Sequence, residues 1–240
     1  MNSEDNYMQK NQERDTAIDF SSVLAAAVHD MKNSLCLLIQ SIEQLSDAIP
    51  EQATESREQV ANVHYEASRL NTNLVQILSL YRSQLESLPI TVDECFIGDL
   101  FSDVVASNRV YIEQKAIALS IQCQDELSWY LDADLIYLLV NDAVVNALRY
   151  GKQNISIEAF EDQDSLVIRV SDDGEGYPDR MLSQSHTELS EFNVSQGRTG
   201  LGLFFARLIA AAHTRDAECG EISRTNGGSL GGSVFEVKIP

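Results

Sequence analysis

The sequence predicts an antiparallel helical hairpin that forms a dimeric four-helix bundle, followed by an α/β sandwich. Two observations support this fold class. Apolar residues recur at alternating steps of three and four through residues 17–88, and strand and helix patterns interleave through residues 89–240. Pro50 and Pro89 interrupt the helical pattern, because proline cannot continue the helical backbone ladder. We therefore predict a leader (1–16), a hairpin (17–88) and a second domain (89–240).

The leader is polar, without periodicity, and predicted to be disordered. The formal net charge of -20 argues against binding to nucleic acid or to an anionic membrane surface. No apolar run approaches the roughly 20 residues of a membrane span, and no secretion signal is present, so we expect a cytoplasmic protein. The four cysteines are widely spaced, which predicts reduced thiols and no zinc site.

The first helix is expected over residues 19–49. Its heptad seam contains Leu24, Val28, Met31, Leu35, Leu38, Ile42, Leu45 and Ile49. His29 falls beside this seam, and Asn33 follows one turn along the same face. Taken by itself, His29 is best interpreted as a solvated surface residue.

The second helix is expected over residues 51–88, with a seam of Val60, Val63, Ala67, Leu70, Leu74, Ile77 and Tyr81. The connection around Pro50 is short, so the two helices must pack antiparallel. Two helices cannot bury both seams fully. A homodimer that closes a four-helix bundle would bury them.

The second domain alternates helices and strands. Helices are predicted over 93–115, 132–150 and 201–212, with Asp132 as a cap of the second. Strands are predicted over 117–123, 154–160, 166–171 and 234–239, and a long polar loop over 183–199. This order predicts one α/β sandwich with a single core.

Two polar residues of the 132–150 helix are spaced for a shared ligand. Asp142 and Asn146 are four residues apart, so both side chains point the same way. Mg²⁺ takes hard oxygen ligands, often one or two from protein and the rest from phosphate and water. Two polar residues on a solvated helix face are an equally good interpretation of this helix alone.

Two glycine-containing stretches follow. Asp172, Gly174 and Gly176 come directly after a predicted strand, where a carboxylate could accept a hydrogen bond from an exocyclic amine such as that of adenine. An ordinary acidic turn would have the same pattern. Residues 197–203 carry glycines into a helix N-terminus, which suits phosphate, although a flexible loop would also fit. The run is neither a P-loop nor a dinucleotide fingerprint.

In this order and spacing, these stretches resemble the motifs of the sensor histidine kinases of two-component systems. His29, Asp30 and Asn33 lie in a segment similar to the H box. Residues 142–150 resemble the N box, 172–176 the G1 box, 197–203 the G2 box, and 231–240 the last strand of the family. The resemblance covers about residues 17–240, nearly the whole chain.

The resemblance implies a dimerisation and phosphotransfer hairpin joined to a Bergerat (GHKL-type) ATP-binding domain that uses ATP and Mg²⁺. His29 would be the phosphoacceptor, with Asp30 beside it to orient the ring or take its proton. Asn33 would help to place water for dephosphorylating a partner's aspartyl phosphate.

The nucleotide would be held by the second domain. Asn146 would hold Mg²⁺, with Asp142 as a further metal ligand or water-mediated contact, and Asp172 would bind the adenine amino group. Arg149 and Tyr150 match positions near the phosphates and the base. The pocket and its lid would be shaped by Gly174, Gly176, Thr199, Gly200, Leu201 and Gly202.

Four positions depart from the family pattern. Asp142 and Asp173 stand where asparagine is usual, and Arg198 replaces a glycine. Ser34 replaces a common proline, so the first helix should bend less there. Phe192 is the candidate for the lid phenylalanine.

The implied function is ATP-dependent autophosphorylation on His29 and transfer to an aspartate of a separate response regulator. Because no sensor or receiver domain is evident, the signal is expected from a separate sensor protein. Two alternatives stay open. One is an inactive nucleotide-binding dimeric scaffold that sequesters a regulator, and the other is a serine kinase or ATPase of the same fold.

Overall fold

The computed structural model describes residues 20–50, 52–85, 88, 90–183 and 201–240. The predicted leader, most of the predicted loop over 183–199, and the candidates Phe192 and Arg198 lie outside these residues. Side chains are not described for residues 20–29, 75–85, 180, 183 and 201. In the described part of the chain, no helix combines the length and the apolar character that crossing a membrane requires.

The first two helices form the predicted hairpin. Helix α1 covers Phe20–Ala48 and helix α2 covers Thr54–Leu85, within a few residues of the predicted ends. At the connection, the amide of Ala53 donates to the carbonyl of Pro50 at 3.0 Å. The side chain of His64 in α2 is buried, and its Nε2 atom lies 3.4 Å from Oε1 of Glu43 in α1. This pair fixes the relative height of the two antiparallel helices.

A single hairpin leaves much of the predicted seam exposed. Ile42 is buried, but about half of the surface of several other seam residues is accessible, namely Met31, Leu38, Leu45, Val63 and Leu70. In α2, Ala67 of the predicted seam is buried, and so are Ala61 and His64, which do not belong to that seam. The reason is that α2 also packs against the second domain.

The second domain begins differently from the prediction. The single helix predicted over 93–115 is wrong: strand β1 (Asp93–Phe96) is followed by helices α3 (Ile97–Ser107) and α4 (Arg109–Gln114). The helices break at Asn108, whose buried side chain donates to the carbonyl of Val104 at 2.8 Å and to Oδ1 of Asn141 at 2.7 Å. Such local side-chain bonds compete with a continuing helix.

The remaining elements follow in chain order: β2 (Ala118–Gln122), β3 (Ser128–Leu131), α5 (Ala133–Tyr150), β4 (Asn154–Asp162), β5 (Ser165–Asp172), α6 (Asp179–Ser183), α7 (Leu201–Ala212), β6 (Thr214–Arg215), β7 (Glu218–Cys219), β8 (Glu221–Asn226) and β9 (Ser233–Ile239). The predicted strands at β2, β4, β5 and β9 and the predicted helices α5 and α7 are confirmed. Strands β1, β3, β6, β7 and β8 were not predicted.

Five strands form one sheet in the order β2-β4-β5-β9-β8. Among the strands that the structure describes, only β2 and β4 pair in parallel, which requires the crossover that contains α5. The tight turn between β4 and β5 is made by Gln163 and Asp164, both in the left-handed region with φ of 50° and 61°. In addition, β1 pairs with β3, and β6 pairs with β7.

Helices α3, α5 and α7 pack as a second layer and enclose one hydrophobic core with the sheet. The largest fully buried side chains are Phe101, Phe205, Ile97, Leu131, Ile136, Leu148, Ile155, Ile157, Leu166, Ile168, Ile209 and Ile239. The predicted α/β sandwich is therefore the observed architecture. Its polar features gather where α5, β5, β9 and α7 come together.

Candidate functional site

Helix α5 is oriented by its amphipathic surface and its N-terminal cap. Oδ1 of Asp132 accepts from the amide of Leu135 at 3.0 Å, and Oδ2 accepts from the amide of Thr91 at 2.8 Å. The apolar face of the helix is buried in the core through Ile136, Leu139, Val140, Ala143, Val144, Ala147 and Leu148. The opposite face therefore presents the polar residues of its C-terminal half.

On that face, Asp142 and Asn146 converge. Nδ2 of Asn146 donates to Oδ2 of Asp142 at 3.4 Å. Burial raises the pKa of Asp142 to about 6, although the hydrogen bond from Asn146 acts in the opposite direction. One carboxylate and one amide one turn apart fit Mg²⁺, which completes its coordination with phosphate and water. The donor set is too small for a cation held by protein alone.

Asp172 ends strand β5 and is almost completely buried, at 3% exposure. Its Oδ1 accepts from the amides of Gly174 at 2.7 Å and Ser233 at 3.2 Å, and its Oδ2 accepts from the hydroxyl of Ser233. These donors fix the orientation of the carboxylate. Ser233 was not predicted as a site residue. The available signal was a small hydroxyl residue directly before the last predicted strand.

Three segments cross at this carboxylate, and glycines make the crossing possible. A Cβ on Gly174 would lie 2.3 Å from the carbonyl oxygen of Tyr150. A Cβ on Gly232 would lie 2.4 Å from the carbonyl oxygen of Asp172. The last turn of α5 and the start of β9 are therefore held at backbone contact distance from the turn after β5.

The turn continues through Gly176, whose φ of +82° is left-handed. Beyond it, the amide of Tyr177 donates to Oδ1 of Asn226 at 2.7 Å, and Nδ2 of Asn226 donates to the carbonyl of Tyr177 at 2.8 Å. Burial raises the pKa of the Tyr177 phenol to about 12, although a hydrogen bond with Ser233 acts to lower it. Tyr177 was not predicted as a site residue, and it stays a neutral phenol beside Asp172.

The structure gives Asp173 a definite role. Its carboxylate accepts from the amides of Lys152, Gln153 and Asn154 and from Nδ2 of Asn154, at 2.8–3.2 Å. Burial would raise its pKa, but the bonds from the Asn154 side chain and the three amides lower it well below the ordinary range. Asp173 therefore fastens the turn between α5 and β4.

The first turn of α7 packs against the polar face of α5 that carries Asp142 and Asn146. A Cβ on Gly202 would lie 2.5 Å from Oδ2 of Asp142, so α7 begins against the Asp142–Asn146 pair. Thr199 and Gly200 lie outside the described residues, and for Leu201 only the backbone is described. Arg149 and Tyr150 are exposed at the end of α5, with the Arg149 guanidinium 5.3 Å from the Tyr150 ring centroid.

The predicted site residues of the hairpin belong to helix α1. The backbone of His29 is helical within α1, and its side chain is outside the described part. Asp30 and Asn33 are exposed. The hydroxyl of Ser34 donates to the carbonyl of Asp30 at 2.9 Å, and α1 is continuous through this position.

Among the described residues, a groove of about 420 Å³ is lined by Asp30, Met31, Ser34, Leu35, Leu70 and Leu74, all from the hairpin. The structure thus brings together the predicted nucleotide residues of α5, the turn after β5 and Gly202. Among the described side chains of the hairpin, Asp30 and Asn33 do not lie with them.

Comparisons with known proteins agree with this geometry. Residues 131–240 match the family described as histidine kinase-, DNA gyrase B-, and HSP90-like ATPase. The sensor protein SrrB of Staphylococcus aureus is 23% identical over 224 residues, covering 90% of this chain and 37% of SrrB. The chain therefore spans little more than a third of the length of these curated relatives.

Solved structures show the same fold at low sequence identity. The Acinetobacter baumannii histidine kinase AdeS has a TM-score of 0.57 at 18% identity, covering 88% of this chain and 96% of AdeS. Full-length ShkA in complex with AMPPNP has a TM-score of 0.60 at 18% identity, covering 91% of this chain and 45% of ShkA. The catalytic domain of ThkA has a TM-score of 0.52 at 20% identity, covering 63% of this chain and 96% of ThkA. Residues 131–240 therefore form a histidine kinase-, DNA gyrase B-, and HSP90-like ATPase domain, and the chain as a whole is similar to sensor histidine kinases.

Proposed function

We propose that the protein is an ATP-dependent histidine kinase that phosphorylates itself on His29 and passes the phosphoryl group to an aspartate of a separate response regulator. The observation that carries the proposal is that one ATPase domain, joined to a helical hairpin, holds both the oriented Asp172 carboxylate and the Asp142–Asn146 pair. A carboxylate held by three donors is preorganised to accept the amino group of adenine. The complex of ShkA with AMPPNP supports ATP as the nucleotide.

Each polar group then has a defined task. Asn146 and Asp142 would hold Mg²⁺, which neutralises charge on the phosphates. Arg149 and Tyr150 lie one turn further along α5, where they can contact the phosphates and the base. The N-terminus of α7 adds amide donors and a positive dipole end next to Asp142.

In the transfer itself, an imidazole nitrogen of His29 forms a bond to the γ-phosphorus of ATP. The bond between that phosphorus and the β,γ-bridging oxygen breaks, and ADP leaves with the electron pair. Asp30, the next residue in α1, would take the ring proton or orient the ring. The phosphoryl group then moves to the regulator's aspartate.

We further propose that the protein dephosphorylates its regulator. Asn33 is exposed one turn after His29 on α1, where its amide can place a water molecule against a docked aspartyl phosphate. The exposed apolar stripe of the hairpin (Met31, Leu38, Leu45, Val63 and Leu70) supports a homodimeric four-helix bundle. We also propose a cytoplasmic location, where ATP is available, and control by a separate sensor protein.

The decisive experiment incubates the protein with labelled ATP and Mg²⁺. Wild type should acquire an acid-labile label, and both His29→Gln and Asn146→Ala should lose it. An exposed residue of α1, Gln40, provides a control, because Gln40→Ala should label normally. An acid-stable label that survives His29→Gln would favour a serine kinase. Nucleotide binding without any label in wild type would favour the scaffold.

The phosphatase activity needs its own assay. Phosphorylated regulator is incubated with each variant, and the loss of its phosphate is followed. Asn33→Ala should slow this loss while Gln40→Ala does not. Equal rates for the two variants would rule out a role for Asn33.

A further inference from the structure

The turn after strand β5 is bound at both of its ends by the strand pair β8–β9. Asn226 and Ser233 lie opposite each other in this pair, directly before and after the connecting loop. Ser233 binds the Asp172 carboxylate, at the start of the turn, through its amide and its hydroxyl. Asn226 binds the backbone of Tyr177, at the end of the turn: its Oδ1 accepts from the amide at 2.7 Å, and its Nδ2 donates to the carbonyl at 2.8 Å. Two residues that face each other across one strand pair therefore hold the two ends of the turn.

The residues between these two ends do not fix their own conformation. Gly174 and Gly176 belong to the turn, and glycine has the widest conformational range of any residue. A Cβ on Gly176 would lie 2.7 Å from both Cγ and Oδ1 of Asn226. The Asn226 side chain therefore lies directly against the backbone of Gly176, where any other residue would displace it.

Strand β8 also contacts the side chain of Tyr177. The Arg224 guanidinium lies 5.9 Å from the centroid of the Tyr177 ring. Arg224 and Asn226 are two residues apart in β8, so their side chains leave the same face of the sheet. The conformation of the turn matters for Asp172, because the amide of Gly174 is one of the donors to the Asp172 carboxylate, at 2.7 Å. A turn held at Tyr177 therefore also holds a donor that orients Asp172.

We propose that Asn226 is a positioning residue for the base of the nucleotide. It fixes the backbone of Tyr177, and through the turn it keeps the Gly174 amide against Asp172, so that the carboxylate is ready to accept from an exocyclic amino group. Loss of the Asn226 side chain should weaken the contact with that amino group and leave the Asp142–Asn146 pair on α5 as it is. The inference rests on the proposed role of Asp172 in binding adenine.

The test compares the affinities for ATP and for purine riboside triphosphate, which lacks the 6-amino group, in the presence of Mg²⁺. The full chain carries His29→Gln, so that no phosphoryl group is transferred to that residue during the titration. Without a substitution at position 226, ATP should bind about tenfold more tightly than the analogue. Asn226→Ala should reduce this ratio by about fivefold, through weaker binding of ATP. Asn226→Asp should give an intermediate ratio, because it keeps the acceptor for the Tyr177 amide and loses the donor to the carbonyl.

Thr225→Ala is the matched control, because Thr225 is the exposed neighbour whose side chain leaves the opposite face of β8, and its ratio should not change. Hydrogen exchange at the Tyr177 amide without nucleotide gives a second readout, which Asn226→Ala should accelerate and Thr225→Ala should not.

Two outcomes overturn the inference. One is an unchanged ratio in Asn226→Ala, and the other is an equal loss of affinity for both nucleotides, which a purely structural role of Asn226 would produce. If the wild-type chain binds ATP but acquires no label on His29, the proposed kinase fails and the ratio still decides the role of Asn226. If the wild-type chain binds neither nucleotide, the proposed function fails, and exchange at the Tyr177 amide alone decides whether Asn226 fixes the turn.

Discussion

Gly202, in the first turn of α7, lies so close to Asp142 that a Cβ at position 202 would be 2.5 Å from the Asp142 Oδ2 atom. Gly202→Ala should therefore displace the Asp142 carboxylate from Asn146 and weaken the binding of Mg²⁺-nucleotide by about tenfold or more. Calorimetric titration with Mg²⁺ and an ATP analogue measures this loss.

The control for this substitution is another glycine in a helix. A Cβ on Gly98 in α3 would meet no atom within 4 Å, so Gly98→Ala should leave nucleotide affinity unchanged and stabilise α3 by about 0.5–1 kcal/mol. If Gly202→Ala binds nucleotide like Gly98→Ala, the close approach of α7 to Asp142 has no part in binding.

A second prediction concerns Asp142 and the dependence of the free energy of unfolding on pH. The folded carboxyl keeps its proton up to about pH 6, whereas the ordinary value is 3.8, so the folded state binds more protons between these pH values. The free energy of unfolding therefore falls as the pH rises through this window, by up to about 1.4 kcal/mol per pH unit. Asp142→Asn cannot ionise, so its stability relative to wild type should grow from pH 4 to pH 6 and then level off.

Urea unfolding between pH 4 and pH 7.5, without metal or nucleotide, measures this difference. Asp134→Asn provides the control, since Asp134 is an exposed acid in the first turn of the same helix. A constant difference between Asp142→Asn and wild type across the range would contradict a raised pKa at Asp142.

Asp173 makes a prediction of the opposite sign. Its lowered folded pKa stabilises the protein above the unfolded pKa of about 3.9, and this contribution is lost as the pH falls through and below that value. Asp173→Ala leaves three backbone amides without their acceptor and should cost about 1–3 kcal/mol near pH 7. Asp173→Asn keeps one acceptor oxygen and should cost less.

Thermal unfolding at pH 7 and pH 3 separates these outcomes, because the penalty of Asp173→Ala should shrink at the lower pH. Glu175→Ala removes an exposed acid from the same turn and serves as the control. A penalty for Asp173→Ala that equals that of Glu175→Ala would show that the hydrogen bonds to Asp173 contribute nothing.

The sequence predicted the elements whose apolar pattern is complete. Helices α5 and α7 and strands β4, β5 and β9 are buried on a continuous face, so periodicity alone locates them. Strand β8 contains one large apolar residue, Ile222, and lies at the sheet edge, where solvent-facing positions leave no alternation to detect. The break at Asn108 depends on its bond to Asn141, a tertiary contact that local pattern does not contain.

The candidate site was predictable only in part, for a similar reason. Spacing within one helix placed Asp142 beside Asn146, and a strand end placed Asp172. The roles of Ser233 and Tyr177 depend on β9 and the turn after β5 meeting across the sheet. Half of the hairpin seam is exposed in a single chain, and the proposed homodimer would cover it with a second copy.

His213 was not singled out in the sequence, yet it joins two helices that carry the site. It is buried, its Nδ1 donates to the carbonyl of Ile209 at 2.8 Å, and its Nε2 accepts from the amide of Asp132 at 3.0 Å. Asp132 caps α5, and Ile209 belongs to α7. The ring therefore fixes the start of α5 against the end of α7.

His213→Ala should leave the amide of Asp132 unsatisfied and open a cavity, at a cost of about 2–4 kcal/mol in the free energy of unfolding. His213→Gln should recover part of this loss, because its amide oxygen can accept from Asp132. The affinity of the variant for nucleotide should stay within about twofold of wild type, since the residues of α5 that are proposed to bind nucleotide lie at the opposite end of that helix. Urea unfolding and calorimetric titration measure the two effects, with the exposed neighbour Thr214→Ala as control. A purely architectural role for His213 would be contradicted if His213→Ala lost less free energy of unfolding than Thr214→Ala. It would also be contradicted if a His213 variant kept the stability of wild type but lost its affinity for nucleotide.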